Sequence, residues 1–171
     1  GCVSTANSAP TGFVAEHLGA MNYECVAAPG FAKSYFSAGM ILHEVLAAPA
    51  VLFNRKDGLH ATFLESLFGF SVDGYAQHYF PSPIALLSAI RSGIGYGLVP
   101  SMQAKPLLDS GDLIALAPHN RIAVDLYWHH WEVAPPNAMA ISEVVVRQAR
   151  QVLIQSPLAP SDRGAAGDVE N

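Results

Sequence analysis

The stretch FPSPIALLSAIRSGIGYGLVP, residues 80–100, decides the fold because it has the pattern of a strand end, a helix and a second strand. Ser82 predicts a helix N-cap, and Pro83 fits the first helical turn, where the N–H that proline lacks would have no partner. Apolar residues recur at helical spacing as far as Gly93, and residues 94–99 form the short apolar run typical of a buried parallel strand. The segment therefore predicts a strand–helix–strand unit.

The glycines of the second strand and the start of the helix each carry a further prediction. Gly95 and Gly97 stand inside the second strand, a pattern that indicates close approach of another group to the backbone. The helix start carries unpaired N–H groups and a partial positive charge at the carboxyl end of the preceding strand, where open α/β sheets bind small ligands. Ser82 is therefore the leading candidate for a ligand contact; the alternative is that it only caps its helix.

Composition limits the class of protein. The 171 residues are 51 % hydrophobic and 13 % charged, which predicts a globular chain with one large or two small lobes. The net charge is −5 and no run of basic residues occurs, so the chain by itself lacks the charged surface of a nucleic-acid binder. No signal peptide or long apolar span is visible, and we expect no membrane partner. Cys2 and Cys25 make neither a disulfide framework nor a metal-ligand spacing, so we expect both to be core residues in a reducing compartment.

The rest of the chain alternates short strands with short helices. Strands are predicted at 1–5, 13–28 (one or two strands, broken at Gly19), 50–53, 77–80, 113–116 and 125–131, and helices at 31–36, 41–47, 59–68, 102–108 and 138–155. This alternation favours an α/β architecture with a mostly parallel sheet. In the last helix the residues expected to face inward are Ile141, Val144, Val145, Ala149 and Val152. Residues 156–171 show no apolar periodicity and are predicted to be a disordered tail.

Motifs for enzymatic or metal chemistry are missing or stand in the wrong context. Gly93, Gly95 and Gly97 follow a helix and lie in a strand, whereas the dinucleotide fingerprint follows a strand and opens a helix. His129 and His130 are neighbours on a predicted strand, so they point to opposite faces and cannot share a metal ion without distortion. No Ser or Cys stands in a context that would activate it as a nucleophile. We therefore expect a protein that is not an enzyme and that uses no cofactor or metal.

Four stretches together resemble a known family. They are LGAMNYECVAAPGFAKSYFSAG at 18–39, APAVLFNRKDGLHATFL at 48–64, IGYGLVP at 94–100 and LYWHHW at 126–131. In this order and spacing they are similar to the effector-binding domain of LysR-type transcriptional regulators, and within that family to the ArgP and LysG subgroup. The resemblance runs from Gly1 to about Leu153. It implies regulation of lysine and arginine export in response to basic amino acids.

The resemblance also implies a fold and an assembly. The fold would be α/β, of the periplasmic-binding-protein type 2, with two lobes of which the second is complete here and the first only partial. Residues 1–16 would end the first lobe and enter the crossover, 17–123 would form the second lobe, and 124–155 would return to the first. Members of the family carry an N-terminal DNA-binding helix-turn-helix and a dimerisation helix. We therefore expect a piece of a longer cytoplasmic regulator, a homodimer or tetramer that contacts DNA through the absent part.

In the family the effector lies between the lobes, in contact with hydroxyls near the crossover strand and at the starts of second-lobe helices. Ser4, Thr5 and Ser82 match these positions. The expected effector is an amino acid, because an α-carboxylate suits a helix N-terminus and hydroxyls supply orienting hydrogen bonds. Its cationic group needs an acid, for which Asp57, in the polar loop after a buried strand, is the best placed and Asp125 the second.

Several alternatives stay open at this point. Asp57 could simply cap the helix that begins at Leu59, and Trp128 could either form a wall of the cleft or pack in the core. Pro81-Ser82-Pro83 replaces the Ser/Thr-rich helix entry more usual in the family and removes an N–H donor, which leaves the effector's identity open. The alternative function is an extracytoplasmic solute-binding protein of a transporter, which shares the two-lobe architecture. An upstream signal peptide would favour that function, and an upstream helix-turn-helix would favour the regulator.

Overall fold

A computed structural model describes residues 1–155 of the chain. The strands are β1 (Cys2–Ser4), β2 (Phe13–Ala27), β3 (Ala50–Leu52), β4 (Gln77–Tyr79), β5 (Gly97–Pro100), β6 (Ile114–Ala115) and β7 (Ile122–Trp131). The helices are α1 (Pro29–Tyr35), α2 (Leu42–Ala47), α3 (Leu59–Phe68), α4 (Pro83–Arg91), α5 (Ser101–Ser110) and α6 (Pro136–Val152). The disordered-tail prediction concerns residues 156–171, which lie outside the described residues. Among the helices of residues 1–155, none combines the length and the apolar composition that crossing a bilayer requires.

The chain divides into two units. The middle unit is Met21–Val124, and the terminal unit joins Gly1–Ala20 to the chain from Asp125 onward. The strands β2 and β7 each run from one unit into the other, so they carry the two chain crossings.

In the middle unit, the four short strands β3 to β6 run in one direction and β2 opposes them. β3 pairs with β4 in parallel, with Val51 opposite His78, and the Val51 N–H donates to the Tyr96 carbonyl at 2.7 Å just before β5. β5 and β6 both pair with β2 in antiparallel fashion, with Leu98 opposite Cys25 in the first case. The prediction of a mostly parallel sheet therefore holds for β3, β4 and β5, and the antiparallel pairs of β2 with β5 and β6 are what it missed. The antiparallel pairs come from the crossing strand β2, which follows β1 without a helix between them.

The middle unit is held together by two apolar clusters. The larger one packs helices α1 to α3 against the sheet and includes the fully buried Phe63, Leu64 and Tyr96. The second places Ile90 of α4 and Val99 of β5 with part of α5. Each such side chain contributes about 1.5–3 kcal/mol through burial. The positions of the α3, α4 and α5 N-termini are thus set by a packed core.

The segment of residues 80–100 folds as predicted, with shifted bounds. Ser82 caps α4 from an extended backbone, and β5 is shorter than the predicted strand. A Cβ on Gly95 would lie 2.5 Å from the Pro49 carbonyl oxygen, and one on Gly97 would lie 2.6 Å from that of Val51. The expected close approach is confirmed, and the approaching group is the backbone of β3 and the residue before it.

The terminal unit pairs β1 with β7 in antiparallel fashion, with Val3 opposite Trp128. Helix α6 packs on this sheet and is tied to β2, since Arg150 donates to Glu16 Oε1 at 3.1 Å. β2 continues without a break through Gly19, whose φ of +128° a side chain would rarely adopt. The predicted break at this glycine is wrong, because glycine can take that conformation inside the ladder.

The predicted inward face of α6 is largely wrong. Ile141, Val144 and Val152 are 60 %, 46 % and 61 % exposed, and the buried residue of the helix is Val146. Apolar residues occupy two faces of this helix, so periodicity alone cannot choose between them. Packing against β7 selects the face that carries Ser142 and Val146.

The two cysteines also differ from expectation. Cys25 is buried as predicted, but Cys2 is exposed because β1 is at an edge of its sheet.

Candidate functional site

The carboxyl ends of the parallel strands in the middle unit meet at one edge. The Phe80 N–H donates to the Leu52 carbonyl at 2.9 Å, so the loops that follow β3 and β4 leave the sheet side by side. Helix α4 begins after the β4 loop, and α5 begins directly after β5. Carboxyl edges of this kind are where open α/β sheets bind ligands. Two of the predicted site residues, Asp57 and Ser82, follow these strand ends.

Ser82 caps α4. Its Oγ accepts the Ala85 N–H at 3.4 Å, a long hydrogen bond, from a residue with φ −146° and ψ 126°. Pro83 has no N–H, so among the described residues Ile84 is the member of the first turn whose N–H remains for a ligand. The side chain of Ile84 is 81 % exposed. The α4 tip therefore offers one backbone donor and the partial charge of the helix, a weaker carboxylate site than a tip without proline.

Asp57 lies in the loop after β3. Its Oδ1 accepts the Leu59 N–H at 3.1 Å, which closes a turn at the start of α3. The helix-start role considered from the sequence is therefore real, but it uses one carboxylate oxygen and leaves Oδ2 for another partner. The residue is half-buried, a position in which a charge interacts more strongly than at a fully solvated surface.

Two polar residues at this edge were not predicted from the sequence. Tyr23 of β2 pairs with Pro100, and the Asp57 carboxylate, after burial, is the second cause that raises the pKa of the Tyr23 phenol. Ser101, the first residue of α5, has a buried Oγ without a hydrogen-bond partner within residues 1–155. Tyr23 stands in an apolar strand pattern and Ser101 follows a proline, so only the strand register shows that both reach this edge.

Ser4 and Thr5 belong to the terminal unit. Ser4 ends β1 opposite Tyr127, and its Oγ accepts the Ala6 N–H at 3.1 Å. Thr5 is exposed in the bend that follows. Both hydroxyls therefore lie in the polar turn at the carboxyl end of β1.

Trp128 also belongs to the terminal unit but lies on the other face of the sheet from Ser4. Val3 is opposite Trp128 and Ser4 is opposite Tyr127, and successive residues of a strand alternate in direction. The indole N–H donates to Ser142 Oγ on α6 at 3.0 Å. Within this unit the structure does not bring Trp128 and Ser4 together, and the indole packs beneath α6.

Asp125, the second candidate acid, already has a partner. Its Oδ1 lies 2.9 Å from His17 Nε2, and more than half of its side chain is exposed. The adjacent residues His129 and His130 point apart as expected. His129 is buried, with its Nε2 2.8 Å from the Ala6 carbonyl oxygen. His130 Nε2 lies 3.9 Å from Glu16 Oε2.

The terminal unit contains a groove of about 600 Å³ between α6 and the ends of β2 and β7. Trp131, Met139 and Val146 form its apolar surface. Two charged residues of the groove, Arg150 and Glu16, pair with each other. None of the predicted site residues lines this groove.

Comparison with known proteins places this fold in a family. Residues 2–150 match the family model described as LysR substrate binding domain. The HTH-type transcriptional regulator ArgP of Photobacterium profundum is 36 % identical over 155 residues, which cover 91 % of this chain and 52 % of that protein. The ArgP of Vibrio vulnificus strain CMCP6 has the same identity and coverage. This chain thus spans about half the length of these curated relatives.

Solved structures agree with this placement. The crystal structure of ArgP from Mycobacterium tuberculosis superposes with a TM-score of 0.85 at 27 % identity, over 91 % of this chain and 52 % of that one. Full-length LysG from Corynebacterium glutamicum with bound effector Arg gives a TM-score of 0.76 at 27 % identity, over 90 % of this chain and 51 % of that one. The α/β fold with its crossing strands is that of a LysR effector domain. The chain belongs to the LysR substrate-binding domain family.

Proposed function

We propose that this chain is the effector-sensing domain of a LysR-type DNA-binding transcriptional regulator that responds to basic amino acids, arginine or lysine, and controls genes of amino-acid export or metabolism. The observation that carries the proposal is the shared carboxyl edge of the middle unit, where the α4 tip and the Asp57 carboxylate follow adjacent parallel strands. A helix N-terminus suits an α-carboxylate, and a carboxylate suits a cationic side chain. The LysG of Corynebacterium glutamicum with bound effector Arg supports the same ligand class.

In this proposal the middle unit is the second lobe and the terminal unit contains parts of the first. Asp57 and Ser82 contact the effector at the carboxyl edge, and the hydroxyls of Ser4 and Thr5 are further contacts that the family resemblance implies. Trp128 stabilises the packing of α6 on β7, which its hydrogen bond to Ser142 supports. The effector acts only through a difference in affinity between two arrangements of the regulator.

DNA binding belongs to an N-terminal helix-turn-helix outside this chain, in a cytoplasmic homodimer or tetramer. The net charge of −5 supports a division in which the DNA contacts lie elsewhere. The relatives are transcriptional regulators, and we propose that this domain likewise binds its effector without transforming it.

The test is calorimetric titration of the complete protein with arginine, lysine and the neutral analogues citrulline and norleucine. We expect the basic amino acids to bind and Asp57→Asn to weaken their binding by about 10-fold or more, as for loss of a hydrogen bond to a charged group. The matched control is Asp109→Asn, which removes an exposed carboxylate that pairs with Lys105 on α5. Failure of every amino acid to bind would contradict the proposed function. Equal binding of neutral and basic ligands would remove the role of Asp57.

A further inference from the structure

We infer that Tyr23 is a specificity-determining residue of this site: its phenol ring and the Asp57 carboxylate together form the surface that selects a cationic effector side chain. This inference rests on the proposed function and deepens it. Neither the sequence pattern nor the family comparison marks Tyr23, and the structure alone brings it to the carboxyl edge of the middle unit.

The strand register places Tyr23 at this edge. β2 runs antiparallel to β5, and Tyr23 lies opposite Pro100, the last residue of β5. Asp57 follows β3, the strand adjacent to β5 on its other side, where Ala50 bridges to Tyr96 in parallel. Because β3 and β5 point the same way, the residues that follow β3 and the residue opposite the end of β5 lie on the same edge.

Packing holds the ring of Tyr23 in place while leaving part of it open. The side chain is half-buried and packs against the larger apolar cluster of the middle unit. Burial and the negative charge of Asp57, in that order, raise the pKa of the phenol. The hydroxyl is therefore a neutral donor at physiological pH, and the ring does not compete with Asp57 as a second anion.

The pair has complementary chemistry toward a cation. The Oδ1 atom of Asp57 is held by the Leu59 N–H, which fixes the carboxylate and leaves Oδ2 to accept from a ligand or from the phenol. An aromatic face attracts an ammonium or guanidinium group and gives nothing comparable to a neutral one. A guanidinium placed between the ring and Oδ2 would gain both interactions, whereas the urea group of citrulline would lose most of both.

The same edge already contains one contact of this kind. The guanidinium carbon of Arg55 lies 5.4 Å from the ring centroid of Tyr79. Arg55 belongs to the same loop as Asp57, and Tyr79 ends β4. This contact engages the loop's own guanidinium with a different ring, and it shows that the edge accommodates a cation over a phenol.

The experiment compares the complete wild-type protein with Tyr23→Leu and Tyr23→Phe by calorimetric titration with arginine and citrulline. We expect Tyr23→Leu to lower arginine affinity by about 3–30-fold, the range for loss of a cation–π contact, and to change citrulline affinity less than about 2-fold. Tyr23→Phe keeps the ring and removes a hydroxyl that a guanidinium cannot accept from, so arginine affinity should stay within about 2-fold of the wild type. Tyr35→Phe, at an exposed tyrosine of α1, is the control and should leave both affinities unchanged.

The outcomes separate this inference from the proposed function. If the wild type binds neither basic amino acid, the proposed function is contradicted and this inference falls with it. If the wild type prefers arginine but Tyr23→Leu keeps the arginine-to-citrulline ratio, the proposed function stands and the role of Tyr23 is overturned. Should Tyr23→Leu fail to fold in a circular-dichroism melt, Tyr23→Met, which also lacks the aromatic face, decides, and an unchanged ratio in that variant overturns the inference.

Discussion

Protonation of His60 should destabilise the middle unit as the pH falls. The imidazole is 3 % exposed, and its Nδ1 lies 3.1 Å from the Tyr75 hydroxyl. Within residues 1–155, neither His60 Nε2 nor the buried Tyr96 hydroxyl has a hydrogen-bond partner, and the two rings are 5.2 Å apart between centroids. No acid is among these contacts, so nothing compensates a positive charge. Burial accordingly lowers the pKa of His60 from 6.5 to about 4.

The size and sign of the effect follow from proton linkage. Between the two pKa values the unfolded chain binds a proton that the folded chain does not, so the free energy of unfolding rises with pH in that interval. The contribution of neutral His60 to the free energy of unfolding is fully present above pH 6.5. It declines as the pH falls toward 4, and below pH 4 the pH dependence from this residue ends. The lowered pKa of His60, about 4 against 6.5 in the unfolded chain, corresponds to about 3 kcal/mol. That is a large share of the stability of an ordinary domain.

Urea denaturation followed by far-ultraviolet circular dichroism measures this change in the free energy of unfolding. Both tryptophans, Trp128 and Trp131, lie in the terminal unit, so tryptophan fluorescence would not follow the middle unit. Between pH 7.5 and 4 the wild type should lose about 3 kcal/mol more stability than His60→Phe, which cannot titrate. His119→Asn, at an exposed loop histidine, should keep the wild-type slope. Equal slopes for wild type and His60→Phe would refute the reasoning, whatever their absolute stabilities.

The remaining predictions concern the β3–β5 contact and the α4 cap. Gly97→Ala should lower the free energy of unfolding by about 1–3 kcal/mol, because its Cβ would meet the Val51 carbonyl oxygen. The control is Gly30→Ala, which has open space around it and should lower that free energy by less than about 1 kcal/mol in the same urea titration. Equal effects would contradict the close packing of β3 on β5 as the cause. Ser82→Ala should cost about 0.5–1 kcal/mol, the low end for an N-cap because the bond to Ala85 is long, and thermal unfolding that shows no loss would disprove the cap's contribution.

Local chemistry made several elements predictable from the sequence. α3 has the predicted bounds, and α4 starts at the predicted cap, because helix period, capping residues and terminating glycines act within a few residues. The close approach at Gly95 and Gly97 could also be predicted, since a glycine inside an apolar strand often marks a site where a second backbone comes near. Both signals are properties of neighbouring residues.

Strand direction and the inward face of α6 were decided by tertiary structure. Cys25 opposes Leu98 although the two residues are far apart in the sequence, and no local pattern specifies an antiparallel rather than a parallel partner at that separation. In α6, apolar residues on two faces gave periodicity two solutions, and contact with β7 selected the face of Val146.

The candidate site divides in the same way. Ser82 could be identified from its sequence alone, because a cap is a local structure. The position of Tyr23 beside Asp57, and of Trp128 on the face opposite Ser4, depends on which strand pairs with which and in what register. A shift of one residue would send each of these side chains to the other face, so only the packed sheet could place them.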